Sequence, residues 1–294
     1  VKSAVAVALC FMVSFLRGNS GIGVNSFSLP KEKKKDILFI SGLDDILLNQ
    51  RDALSDYSRV ELNRMLDEKA NFTISTIRTP ASLVEVMKDI RLKFPVIAMD
   101  GAVLYDIEEN RYLKTYVISH KRALQLLSLI KEQGLQCFTN VIVDDLLVIY
   151  YEKLEDDVQK RLLKMMRKSP YRNYVQKELG ENQDVVYFML LYPRQTIEKF
   201  YAVLEENKIT EELKVLKYDS VDYLRYSYIK IYNKNAKKEN MIDYLKEMLE
   251  IEKTVTFGSI PGRYDEYIMP GDTNQMVRSL KKLYEPVKNP WKRT

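Results

Sequence analysis

Two rhythms of apolar and polar positions alternate along the 294-residue chain. Short apolar runs bounded by turn residues read as buried strands, and longer stretches with apolar positions three or four apart read as helices. Ile37 to Ile40 is the first such strand, and it empties into the turn Gly42-Leu43-Asp44-Asp45. Ser55 caps a predicted helix over residues 56–66. Phe72 to Ser75 is a second strand, and Pro80 opens a helix to about Arg91. Residues 95–99 form a third strand that ends in Asp100-Gly101-Ala102. Strand, helix, strand, helix, strand predicts an α/β fold with a parallel sheet. In such a sheet ligands bind at the carboxyl ends of the strands.

The rhythm changes over residues 116–226. A helix at 121–131 precedes two strands, 136–143 and 146–151, joined at Asp144-Asp145. That pair reads as a hairpin turn, a far commoner role than a catalytic dyad. A helix (156–167), a strand (185–192), a helix (194–207) and two strands (213–218 and 224–232) come next. This stretch reads as an α+β module inserted into the first domain. The parallel pattern then resumes with a helix at 238–250, a strand at 254–257 ending in Gly258-Ser259, and a last helix at 275–284. The predicted organisation is a leader with a basic linker (1–35), a core (36–115 plus 227–285), an inserted module (116–226) and a polar tail (286–294).

Composition narrows the picture. Hydrophobic residues at 46% and charged residues at 30% are ordinary for a globular chain. The net charge is +5, with Lys and Arg interleaved with Asp and Glu throughout. That distribution reads as solvated helix faces, so no nucleic-acid partner is expected. The 20 tyrosines follow no stacking motif and suit strand packing. Cys10 and Cys137 form no CxxC, which argues against a disulfide framework and for a reducing, cytoplasmic setting. With His120 the only histidine, a multi-histidine metal site is excluded, and His120 is expected at a helix start.

The nearly unbroken apolar run from Ala4 to Leu16 is short of the roughly 18 residues a membrane span needs. It suits a packed or disordered leader first, and a membrane-associating helix as the alternative. A secretory signal fits its length, but residues 18–28 offer no small-x-small cleavage site. The basic stretch Lys31-Glu32-Lys33-Lys34-Lys35 favours keeping the rest of the chain on the cytoplasmic side.

The turn after the first strand resembles the first signature of the haloacid dehalogenase (HAD) superfamily, Asp-x-Asp-Gly-Thr-Leu. The order of elements resembles its Cof-type (IIB) branch, from about Asp36 to Phe257, with residues 116–226 as the cap. The resemblance implies a Rossmann-like core that transfers phosphoryl groups with Mg²⁺. In that family the first Asp attacks phosphorus and ligates the metal, and the second, two residues on, is the acid and base. Residues i and i+2 of a strand share a face, which explains the spacing. Here Asp44 holds the second position, whereas Gly42 holds the first; Asp45 and Ile46 replace the family Gly and Thr.

The remaining motifs are assigned by the same resemblance. Thr76, in Thr73-Ile74-Ser75-Thr76-Ile77-Arg78, matches the hydroxyl that binds a phosphate oxygen, although a helix-capping role is the simpler reading of a lone threonine. Arg78 falls in the same pocket. Asp100-Gly101 matches a family Asn-Gly turn, and the Asp adds a negative charge expected to repel an anion. Lys238 matches the phosphate-neutralising lysine. Ser259 stands where the first metal-binding Asp of Gly-Asp-x-x-Asn-Asp belongs.

Two of three expected carboxylates are therefore replaced. The chain reads as a catalytically impaired homologue with a binding or regulatory role, holding Mg²⁺ weakly or not at all and with Asp44 as its one residual acid and ligand position. The expected partner is a small phosphorylated metabolite or anion; the sequence identifies no protein partner. One alternative is an active Mg²⁺-dependent phosphatase of metabolites such as sugar phosphates, with ligands rearranged onto Asp44, Asp45 and Asp265 or Asp272. Another is a scaffold docked to lipid or to a partner helix through residues 4–16.

Overall fold

The computed structural model describes residues 37–284 apart from 45, 50–51 and 170–171. The leader, the tail and Asp45 therefore lie outside the described residues. The first sheet has seven strands in the order β13-β12-β1-β2-β3-β4-β5. These are β1 (Ile37–Gly42), β2 (Phe72–Ser75), β3 (Val96–Ala98), β4 (Val103–Asp106), β5 (Arg111–Thr115), β12 (Lys253–Gly258) and β13 (Glu266–Tyr267). The strands from β13 to β3 run parallel, and β4 and β5 add an antiparallel hairpin at one edge.

Burial on both faces explains the unbroken apolar run of β1. Leu38 and Ile40 pack on Met241, Leu245 and Leu249 of one helix, α7 (Lys238–Leu249). Phe39 and Leu43 point the other way, onto Leu62, Met65 and Leu66 of α1 (Asp56–Asp67). Ser55 caps α1 as expected, accepting from the Ser58 amide at 3.0 Å. The helix at Pro80 is shorter than the pattern suggests: α2 spans Pro80–Val86. Asn63 holds the next segment as turns, donating to the Asp89 carbonyl (2.7 Å) and accepting from the Arg91 amide (2.9 Å).

The inserted unit carries the second sheet, ordered β10-β11-β9-β6-β7-β8. Its strands are β6 (Phe138–Val143), β7 (Leu146–Tyr151), β8 (Asn173–Gln176), β9 (Tyr187–Pro193), β10 (Leu213–Asp219) and β11 (Tyr226–Asn233). Helices α3 (His120–Glu132) and α5 (Arg194–Glu206) cover one face through Leu126, Ile130, Ile197 and Phe200. The others are α4 (Asp157–Met166) and α6 (Ile209–Glu212), while α8 (Gln275–Tyr284) packs back on α1. Asp144 and Asp145 both adopt positive φ in the β6–β7 turn, the backbone a two-residue hairpin requires.

The sheet pairing moves one expected boundary. β11 pairs with both β9 and β10 over its whole length, so residues 227–233 belong to the inserted unit and not to the core. The β4–β5 hairpin, β8 and β13 have no counterpart in the sequence pattern. They are short, and their partners are distant or sit at a sheet edge. Among the described residues no helix is long and apolar enough to cross a membrane.

The turn after β3 carries unusual backbone. Met99, Asp100 and Gly101 have φ of 50°, 57° and 87°. A Cβ on Gly101 would stand 2.3 Å from the Lys237 carbonyl carbon and 2.5 Å from the Lys238 amide nitrogen. Only glycine combines that φ with that approach. Gly101→Ala is expected to destabilise the fold by about 1–3 kcal/mol or more, from backbone strain and displacement of the start of α7. Urea unfolding measures this, and an unchanged midpoint would contradict the packing described.

Candidate functional site

Four neighbouring parallel strands, β12, β1, β2 and β3, end along one edge. The register sets Ser41 beside Phe257, Gly42 beside Ser75 and Ser75 beside Ile97. Residues just beyond these ends are therefore gathered: Gly42 and Asp44 from β1, Thr76 and Arg78 from β2, Asp100 and Gly101 from β3, Ser259 from β12. Lys238 joins them because α7 begins against Gly101. The backbone ties two of the turns together, since the Asp100 amide donates to the Thr76 carbonyl (3.0 Å) and the Met99 amide to the Arg78 carbonyl (2.9 Å).

Asp44 is engaged on both oxygens. Arg78 Nε donates to Oδ1 at 2.7 Å, and Thr76 Oγ1 donates to Oδ2 at 3.1 Å. A second nitrogen of Arg78 donates to Asp52 at 2.7 Å. Burial opposes the charge on Arg78, but the hydrogen bonds to Asp52 and Asp44 outweigh it and hold the guanidinium above its ordinary pKa. Arg78 is thus a fixed cation spanning two carboxylates. The buried Thr76 hydroxyl also accepts from the Arg78 amide at 3.1 Å. The helix-capping reading of Thr76 is overturned, because α2 starts at Pro80 and Thr79 is its N-cap residue.

Asp100 does not stand as a bare negative charge. Lys214, on β10 of the inserted unit, meets its carboxylate at 2.7 Å, and Lys238 approaches the other oxygen at 4.0 Å. Lys214 also donates to the Asp100 and Ala236 carbonyls at 2.9 and 2.6 Å. Each partner is only 17% exposed, so the pair is poorly screened. The expected repulsion of an anion is corrected accordingly: Lys214 neutralises the charge and uses it to tie the two sheets together.

At Gly42 the backbone is ordinary strand, so glycine is not required by conformation. An added Cβ would meet the Cδ1 of Ile46 at 2.6 Å, with nothing else nearer than 3.8 Å. Ile46 is buried and fills the space a side chain at 42 would enter. At Gly258 the ring of Tyr264 lies 2.1 Å from where a Cβ would sit, and half-buried Ser259 comes next in the chain.

Among the described residues, those at the strand ends do not fit the Mg²⁺ site of a phosphoryl-transfer enzyme, which rests on one or two free carboxylates besides phosphate and water. Gly42 has no donor, Ser259 has only a hydroxyl, and Asp44 is bound by a guanidinium. Asp265 and Asp272 are committed elsewhere: Asp265 accepts from the Thr256 amide and hydroxyl (2.8 and 2.7 Å), and Asp272 pairs with Arg278 at 3.3 Å. Among the described residues no three acidic, histidine or cysteine side chains form a group able to hold a metal. Nor does Cys137 offer a nucleophile, since burial pushes its thiol up to about 12.

Several charged side chains around the site escaped the sequence pattern. Asp52, Lys214, Arg172 and Lys230 come from loops and from the inserted unit. One signal was available. In Tyr226-Ser227-Tyr228-Ile229-Lys230-Ile231-Tyr232 the alternation puts Lys230 on a face otherwise made of tyrosines, an odd place for a solvated lysine.

A family of haloacid dehalogenase-like hydrolases matches residues 39–259. No protein of curated function matches the chain in sequence. Among solved structures, a HAD/COF-like hydrolase from Plasmodium vivax is 13% identical, covers 84% of this chain and 96% of its own, and superposes with a TM-score of 0.63. A haloacid dehalogenase-like hydrolase from Bacteroides thetaiotaomicron is 15% identical, with coverage of 76% and 82% and a TM-score of 0.59. A sugar phosphatase of HAD subclass IIB is 14% identical, with coverage of 85% and 99% and a TM-score of 0.60. At these identities the likeness is one of fold, while the sequence match extends over most of the chain. The chain belongs to the haloacid dehalogenase-like hydrolase family and shares the fold of its Cof-type members.

Proposed function

We propose that this protein is a catalytically impaired member of the family that binds a small phosphorylated molecule instead of hydrolysing it. One observation carries the reading: the position from which the family attacks phosphorus is Gly42, and a buried methyl of Ile46 occupies the space its side chain would need. Without a nucleophile no aspartyl-phosphate forms. Ser259 and the arginine-bound Asp44 remove the usual support for a metal. Losing one member of a catalytic unit costs about 10⁴-fold or more, and further losses add little. The anion-binding side is better kept. Lys238 and the start of α7 stand at the strand ends beside Thr76, and a helix N-terminus favours negative charge.

Two measurements test this. With millimolar Mg²⁺ and an aryl phosphate ester, no turnover above background is expected; turnover that Asp44→Asn abolishes would refute the proposal. Inorganic phosphate should bind without metal in calorimetry. Lys238→Ala is expected to weaken that binding by about tenfold or more, the usual worth of a hydrogen bond to a charged group. Equal affinity in the variant would remove Lys238 from the pocket.

A further inference from the structure

The second sheet has two unlike faces. Phe138, Tyr187 and Tyr232 belong to the apolar cluster shared with the core, so their face is turned toward it. Val141, Phe188 and Ile231 point the other way and pack under α3 and α5. On that outer face the last turns of α3, the residues entering β6, the end of β7 and the irregular segment 177–179 enclose a cavity of about 300 Å³. Leu124, Leu127, Leu135, Cys137, Tyr150 and Leu179 make its walls mostly apolar. Leu124 is also 46% exposed, an apolar side chain that the helix leaves in water. Folded interiors hold few voids larger than a water molecule. A cavity of roughly 150 Å³ takes one benzene ring, so this one has room for about two fused rings.

Two details define the occupant. The first is charge. Lys131 meets Glu152 at 3.0 Å and Glu178 at 2.9 Å, which joins the end of α3 to β7 and to the irregular segment. The hydrogen bonds to Glu178 and Glu152 hold Lys131 above its ordinary pKa. Lys177 brings the lining to two positive and two negative side chains, so the cavity favours neither sign. The second is hydrogen bonding. The backbone amide of Gln136 donates to the Tyr192 hydroxyl at 2.8 Å, and the Thr139 hydroxyl pairs with the Cys137 thiol at 3.6 Å. The side-chain oxygen of Gln136 is different: it is buried with no hydrogen-bond partner among the described residues. A buried acceptor left without a donor is costly. A donor on the occupant supplies what the chain does not.

We propose that this cavity is a second ligand site, which takes an uncharged, mostly apolar molecule the size of about two fused rings, with one hydrogen-bond donor directed at Gln136. Apolar walls with a few placed polar groups are the usual form of a small-molecule site. The proposal is independent of the phosphate pocket. All the lining residues come from the inserted unit, on the face turned away from the strand ends.

Calorimetry on the full chain with indole, 1-methylindole and indole-2-carboxylate tests the site. The three share a ring system; the methyl compound lacks the N–H donor, and the carboxylate adds a charge. Indole should bind about fivefold tighter than 1-methylindole, the net worth of one hydrogen bond. Indole-2-carboxylate should bind most weakly, because its charge would be buried without a partner. Ser128 lines the cavity from an exposed position on α3, so Ser128→Phe should fill the space and abolish binding while the melting temperature holds. Gln136→Met should bring indole down to the level of 1-methylindole, and it decides the matter if Ser128→Phe fails to fold. Millimolar phosphate should leave the indole affinity unchanged. Four results would each overturn the site: no saturable indole binding, equal affinity for indole and 1-methylindole, intact binding in folded Ser128→Phe, or displacement of indole by phosphate. None of them bears on phosphate binding at Lys238.

Discussion

The close approach of Gly101 to the backbone of Lys237 and Lys238 is the joint on which the rest of the site depends. A side chain at 101 would hold α7 away from the strand ends. With none, the turn after β3 and the first turn of α7 share one small volume. Lys238, Asp100 and, through Asp100, Lys214 of the inserted unit then meet in it. Thus one missing methyl group sets both where the helix begins and where the second sheet attaches. The three consecutive left-handed residues at 99–101 are the backbone cost of that arrangement, and such strain persists only where its surroundings over-determine it.

Charge within the site is handled in two ways. Near the core strands each acid has a nearby base: Arg78 with Asp44 and Asp52, Lys214 with Asp100. These pairs are partly buried and orient one another, which makes them positioning devices more than sources of stability. In the inserted unit Lys230 and Arg172 form no ion pair with a carboxylate among the described residues. The described charges are therefore paired near the strand ends, and the two cations of the inserted unit stand apart from those pairs.

Much of this was legible in the sequence, for physical reasons that also mark the limits. β1 could be read because a strand covered on both faces needs an unbroken apolar run, and α1 because its apolar positions recur at helical spacing behind a capping serine. The Asp144-Asp145 turn was equally clear. Thr76, Arg78, Lys238 and Ser259 could be located because the family resemblance assigns each to a motif directly beyond or at the end of an element. The role of Asp100 was not legible, because its partner lies 114 residues further along and on another sheet. The end of the inserted unit was misplaced because β11 runs straight back toward the core, with no turn residues to mark the change of sheet. Lys230 needed the three-dimensional face before its isolation among tyrosines meant anything.

The packing of Ile46 into the space beside Gly42 bears on which side chains that position can carry. Here an aspartate at 42 would drive its Cβ against a buried methyl, and Ile46 would have to give way in the same step. Relieving Ile46 first opens a void in a packed interior, which carries its own cost. A side chain at 42 and the present rotamer of Ile46 are thus alternatives, and the terminal methyl must turn aside before position 42 can carry one.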